Sequence, residues 1–203
     1  MDLKRRKDMK KTGEVSAEPV ADERLNAVRY HRLWTALVVL SAISLVVAVY
    51  LNTLHAPFMF DDYQNILENP HIRLEEITLA GLKDAGFNSF ASRRPLVNIS
   101  FALNYFFHGY DLPGYHIVNI LIHIITGLLF YFLLRSTIIL SRKQSQGRGM
   151  MDGVDPAHVA CFAMLIWLVH PLGTQSVTYI VQRMASMAAL FYILSLLCSV
   201  KGR

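Results

Sequence analysis

The chain has 203 residues, of which 53% are hydrophobic and only 17% charged, with a mean hydropathy of +0.34 and a formal net charge of +5. Such apolar weight, gathered into long uncharged runs, excludes an ordinary soluble domain as well as disordered, collagenous and disulfide-scaffold chains. The two cysteines, Cys161 and Cys198, lie inside apolar runs at no metal-ligand spacing. They read as small buried hydrophobes rather than as redox or zinc groups.

Taken in order, residues 1–32 form a basic arm, and residues 33–54 (LWTALVVLSAISLVVAVYLNTL) carry no charge. At about 1.5 Å per helical residue that run crosses a hydrocarbon core of about 30 Å, and its position after a long polar arm marks an uncleaved signal anchor. Residues 55–114 make a long loop whose segment 95–107 is apolar but short, which predicts a helix lying at the membrane interface. Gly109, Pro113 and Gly114 separate it from a second span at 115–135. A loop at 136–156 leads to a third span at 157–169, ended by His170-Pro171 because proline cannot continue the helical ladder. A short loop at 170–183, a fourth span at 184–200 and the terminal 201–203 complete the chain. The expected fold is all-α, a polytopic membrane protein with about four transmembrane helices.

Orientation follows from Lys and Arg. Nine precede residue 33, four fall between 135 and 148, and two lie at 201–203, so 15 of 20 share one side if the spans alternate. Arg73, Lys83, Arg93, Arg94 and Arg183 fall on the other. The positive-inside rule then places both termini in the cytoplasm of an inner (plasma) membrane and both loops outside. The basic arm reads as a solvated tail with affinity for anionic membrane lipid; without interleaved aromatics or a groove-binding motif it gives no sign of a nucleic-acid partner.

The sharpest local signal is Phe58-Met59-Phe60-Asp61-Asp62-Tyr63, two carboxylates among aromatics just beyond the first span. Mutual repulsion and apolar neighbours raise the pKa of one acid toward a value suited to taking a proton from a hydroxyl. The simpler reading is structural, in which Asp61 or Asp62 caps a short helix over 63–67 or lies in a solvated loop. Arg93, Arg94 and Arg183 have the planar donor fork that grips a phosphate, or else they snorkel to the headgroup layer. His116, Asn119 and His123 share a face of the second span and predict interhelical hydrogen bonds. Asn98-Ile99-Ser100 spells a glycosylation sequon on the interfacial helix, where burial works against its use.

Taken together, FMFDDYQNILENPHIR at 58–73, RRPLVNISFALNYFFHGYDLPGYHIVNILIHIITGLLFYFLLR at 93–135 and HPLGTQSVTYIVQRMASMAALFYILSLL at 170–197 resemble the GT-C membrane glycosyltransferases. Within them the chain looks closest to the protein O-mannosyltransferase-like group that includes the transmembrane and TPR-containing (TMTC) proteins and their bacterial relatives. The resemblance implies transfer of a sugar from a polyprenyl-phosphate donor to a protein or glycan acceptor outside the cytoplasm. By position it makes Asp61 the base and Asp62 its acidic neighbour, gives the donor phosphate to Arg94 and Arg183, and lines the pocket with His170 and Tyr179. It names no cofactor beyond the donor lipid and no metal ligand.

Two departures stand out. HPLGTQ has Gln175 where family members often carry an acid. The span count is about half the superfamily's or less, and TPR repeats are absent, so the expectation is the N-terminal part of such an enzyme, truncated or split, with another chain supplying the missing helices. The alternative is a non-catalytic membrane subunit or remnant. A proton-relaying transporter is disfavoured, because the acids lie in a loop and no span carries an internal carboxylate.

Overall fold

A computed structural model describes residues 17–144 and 153–202, and helix is the only regular secondary structure among them. The chain divides into two compact units, Met1–Leu40 and Ser41–Arg203, and the site described below lies wholly in the second. The main helices are α1 (Ala17–Tyr50), α2 (Leu79–Asn88), α3 (Pro95–His108), α4 (Leu112–Gln144), α5 (Pro156–Val169), α6 (Gln175–Thr178) and α7 (Arg183–Lys201). Most of the basic arm, residues 1–16, lies outside the described residues.

Among the described residues three stretches are long and apolar enough to cross a membrane: Arg32–His55, Leu112–Gln144 and Ile180–Lys201. The expected third span is different. At 14 residues α5 is about 21 Å long, shorter than a hydrocarbon core. It continues only through a 56° bend into Pro171–Thr178. The bend has the expected cause, since Pro171 lacks an N–H and holds His170 extended at φ −63°, ψ 129°. Among the described residues there are thus three candidate crossings, and a fourth if the bent pair counts as one. Helix α4 also runs well past the predicted 115–135, carrying Arg135, Arg142 and Lys143 on its last turns where a loop was expected.

Side-chain bonds give the course of the bundle. At one end Arg142 donates to the Val154 carbonyl just before α5. Farther along, His123 on α4 meets the Leu168 carbonyl at 2.9 Å, and the Tyr50 hydroxyl reaches the same carbonyl at 3.4 Å. Helix α5 therefore brings the chain back along α4, so residues 170–182 arrive at the end of the bundle that holds residues 55–114.

At that end α2 and α3 form a cap over the first turns of α4 and α7. Thr78 caps α2 by accepting from the Gly81 N–H at 3.1 Å, and α3 starts at Pro95, whose missing N–H costs nothing in a first turn. The observed α3 matches the helix expected at 95–107. Gly109 ends it at φ +58°, a conformation closed to most side chains. Gly114 is required by space, because a Cβ there would lie 2.8 Å from the His108 ring. Ile66, Ile72, Phe101 and Tyr115, none with any exposed surface, pack with Val97, Ile180 and Val181 beneath the cap. Each such side chain contributes roughly 1.5–3 kcal/mol relative to leaving it in water. Asn98 is buried within this layer and donates to the Gly86 and Ala91 carbonyls, so the sequon has no free amide.

One expectation about the cysteines changes. Cys161 is half-buried and Cys198 exposed on the bundle surface, because α7 turns that face away from its neighbours.

Candidate functional site

The site begins with the segment that links α1 to α2. Phe60 has φ +43°, an outlier for a bulky residue, and strain of this kind costs of order 1–3 kcal/mol. The turn survives because its neighbours over-determine it. The Asp62 N–H donates to the Met59 carbonyl at 2.9 Å, while the Met59 N–H donates to Asp62 Oδ2 at 2.9 Å.

Strain and clamp together separate the two acids. Asp62 is 1% exposed, and its second oxygen, Oδ1, accepts from the Val181 N–H at 2.7 Å. Burial raises its carboxyl above the usual carboxylate range, against the pull of the Met59 and Val181 N–H groups and of His116, and the charge of Asp61 adds to the rise. Asp61 points the other way and is exposed, its backbone N–H donating to the Tyr179 hydroxyl at 3.0 Å. Burial and the two carboxylates raise the Tyr179 hydroxyl, which keeps it protonated. The pair is thus one anchored and one free carboxylate. The short helix expected at 63–67 is present as a π turn over Tyr63–Leu67, but the Asp62 side chain does not cap it.

The other predicted residues separate in the same way. Arg93 and Arg94 are exposed, and neither side chain forms a hydrogen bond or ion pair among the described residues. They flank a cavity of about 540 Å³ between the start of α3 and α7, lined also by Leu96, Met184, Met187 and Phe191. Cationic heads beside an apolar trough suit an anionic headgroup with a hydrocarbon tail.

Arg183, expected beside it as a second phosphate ligand, lies elsewhere. It has no exposed surface, and its guanidinium is held by Asn119, Asn104, Ser100 and the Tyr115 carbonyl over the Phe101 ring, so as folded here it presents no surface to a phosphate. His170 is exposed and accepts from the Leu172 N–H at 3.3 Å; among the described residues no hydrogen bond joins it to either acid. Tyr179 does reach the acids, and Gln175 is exposed on the short α6.

The interhelical bonds expected of this face are formed by His123, to the Leu168 carbonyl, and by Asn119, which accepts from Arg183, whereas His116 Nε2 meets the Ala56 carbonyl in the loop after the first span at 3.0 Å; Asn119 also donates to the Ile180 carbonyl at 3.2 Å. What sequence reasoning missed is the cage around Arg183. Its signal was present as Ser100 and Asn104 on α3 and Tyr115 and Asn119 on α4, two pairs four residues apart and so each on one helix face.

Comparison with known proteins bears on the family of the chain. The chain is 31% identical over 168 residues to the protein O-mannosyl-transferase F38B6.6 of Caenorhabditis elegans, covering 79% of this chain and 22% of that one. It is 36% identical over 164 residues to the human protein O-mannosyl-transferase TMTC2, covering 76% of this chain and 17% of that one. The Xenopus laevis protein O-mannosyl-transferase tmtc2 is 35% identical over 162 residues, with 75% and 17% covered. The chain therefore spans about a fifth of the length of these relatives. No protein-family model matches it, and no solved structure does. The matched stretch takes in about three quarters of an all-α membrane chain, and on that footing the chain is a TMTC-like relative of the protein O-mannosyl-transferases.

Proposed function

We propose that this chain carries the acceptor-activating part of a GT-C-type glycosyltransferase, which moves a sugar from a polyprenyl-phosphate donor to a hydroxyl of a protein or glycan acceptor on the outer face of the membrane. The observation that carries the reading is the split acidic pair: Asp62 is buried and held by two backbone N–H groups, so the adjacent Asp61 is exposed at a fixed place. Asp61 accepts the proton of the acceptor hydroxyl as the oxygen bonds to the sugar's anomeric carbon. The bond from that carbon to the donor phosphate breaks, and the phosphate leaves with the electron pair. Arg94, with Arg93, meets the phosphate charge, and the adjacent trough receives the start of the lipid chain. Tyr179 keeps Asp61 in register through its backbone, and His170 belongs to the rim of the acceptor side.

The relatives are named for protein O-mannosyl transfer, which makes mannose the first sugar to try. The orientation proposed is the one that keeps the 15 basic residues of the arm, the 135–148 stretch and the terminus in the cytoplasm of the inner membrane. A further chain supplying helices is part of this reading, and the apolar faces of α4 and α7, including Ile117, Leu121, Phe191 and Tyr192, are the surfaces it shares with lipid.

The test uses membranes containing the wild-type chain, the Asp61→Asn variant or neither, given a radiolabelled polyprenyl-phosphate mannose. Transfer that requires the chain and is lost in Asp61→Asn supports the proposal. Absence of transfer across several sugar donors, with insertion verified, overturns it.

A further inference from the structure

We infer that Arg183 is a positioning residue for Asp61, acting through Asn119 and a single peptide group; the inference rests on the reading of Asp61 as the base. Four of the five guanidinium N–H groups are engaged: Nε with Asn119 Oδ1 at 2.7 Å, Nη1 with Asn104 Oδ1 at 2.6 Å and Ser100 Oγ at 3.2 Å, and Nη2 with the Tyr115 carbonyl at 2.9 Å. The Phe101 ring centroid lies 4.5 Å from the guanidinium carbon. Acceptors on both α3 and α4 thus fix the planar fork in every direction.

Burying a guanidinium among neutral acceptors is expensive, and apolar side chains join helices without that cost. Among the described residues Arg183 has no carboxylate ion-pair partner within reach. What it has is a hydrogen-bonded path to one. Asn119 accepts from Arg183 through Oδ1 and donates through Nδ2 to the Ile180 carbonyl at 3.2 Å. That carbonyl belongs to the same peptide unit as the Val181 N–H, which donates to Asp62 Oδ1 at 2.7 Å.

The Ile180–Val181 peptide is therefore gripped on its oxygen by Asn119 and on its nitrogen by Asp62. A cation, a side-chain amide, a peptide and a carboxylate stand in series, each polarising the next in a medium of low dielectric. Tyr179, one residue before this peptide, takes the Asp61 N–H. Both acids are thereby referred to one segment, 179–183, whose place is set by the Arg183 cage. The sequence places these partners on four separate elements, and only the fold brings them into line.

Asn119→Asp tests the relay. It is isosteric, keeps an acceptor for Arg183 as a charge-assisted pair, and replaces the donor that holds the Ile180 carbonyl by an anionic oxygen that repels it. In membranes or detergent, amide exchange over 58–63 is expected to rise at least tenfold, with exchange over α4 and α5 unchanged. In the transfer assay kcat falls at least tenfold while KM for the donor lipid stays within twofold. Arg183→Lys, which keeps the charge and loses the fork, gives the same pattern.

Unchanged exchange over 58–63, or unchanged kcat in an active preparation, overturns the inference. So does acceleration spread over α4 and α5, which makes the cage merely structural. If the wild type transfers no sugar, the proposed function fails while the exchange measurement still decides whether Arg183 holds the acidic segment.

Discussion

Asp62 and Val181 are 119 positions apart in the chain, and a 2.7 Å hydrogen bond from the Val181 N–H to the buried Asp62 carboxylate joins them. The bond ties the segment after the first span to the start of the last one. It also assigns the two neighbouring acids different work, because a carboxylate committed to two backbone N–H groups in a buried place is not free to exchange protons with a substrate. Asp61, exposed beside it, carries no such commitment among the described residues.

The first prediction concerns Asp61. Changing it to Asn leaves the backbone contact with Tyr179 in place and removes only an exposed carboxylate. Stability is expected to be unchanged within about 0.5 kcal/mol, while sugar transfer falls by about 10²–10⁴-fold. Parallel melting and initial-rate measurements separate the two effects.

Asp62→Asn acts on the fold. The new side chain has one acceptor oxygen, so either the Met59 or the Val181 N–H loses its partner and faces an amide nitrogen. The expected cost is about 1–3 kcal/mol, visible as a lower melting temperature, with transfer reduced as a consequence. Acidity gives a second readout. The carboxyl is raised above 3.8 by burial, so between 3.8 and its native value the folded chain holds more protons than the unfolded one. This group's contribution to stability therefore falls as pH rises through that window, and the variant lacks that slope.

Paired replacement of Arg93 and Arg94 by Gln removes both exposed cations from the cavity between α3 and α7. KM for the polyprenyl-phosphate donor is expected to rise tenfold or more with kcat little changed, since a headgroup contact held in both ground and transition state is lost. Steady-state kinetics in donor concentration checks it.

Gly127→Ala probes the contact of α4 with α5. A Cβ there would lie 2.6 Å from Leu168 Cδ2, on the residue whose carbonyl holds both His123 and Tyr50. Pushing the helices apart is expected to cost about 1–3 kcal/mol by overpacking. Chemical-denaturant or thermal unfolding in detergent measures it.

His71 and Asp84 join the turn at Pro70–Ile72 to α2, with a 2.8 Å contact between Nδ1 and Oδ2. Hydrogen bonds from Asn88 first, then from His71, hold the Asp84 carboxyl below its usual 3.8. A depressed acid contributes stability above its unfolded value and loses it as pH falls through the folded one. Acid unfolding of Asp84→Asn is therefore expected to be less steep below about pH 4 than that of the wild type, as tracked by far-UV circular dichroism across a pH series.

Hydropathy and punctuation alone determined the all-α membrane class, the run that becomes the α1 crossing, the separate α3 with its Pro95 start and Gly109 stop, and the break at His170-Pro171. These are local consequences of chain length against bilayer thickness and of residues that cannot continue a helix. The motif FMFDDY likewise marked the acidic pair, because two carboxylates among aromatics stand out in any apolar chain. Tertiary structure decided which acid is buried and which exposed, that Arg183 is caged while Arg94 faces an open cavity, and that α5 returns along α4 before a 56° bend. The first of these depends on the Val181 N–H meeting Asp62, and the last on the Leu168 carbonyl meeting His123. Apart from proline, the backbone N–H and C=O are the same at every position in the sequence, and only folding gives one of them a partner more than a hundred residues away.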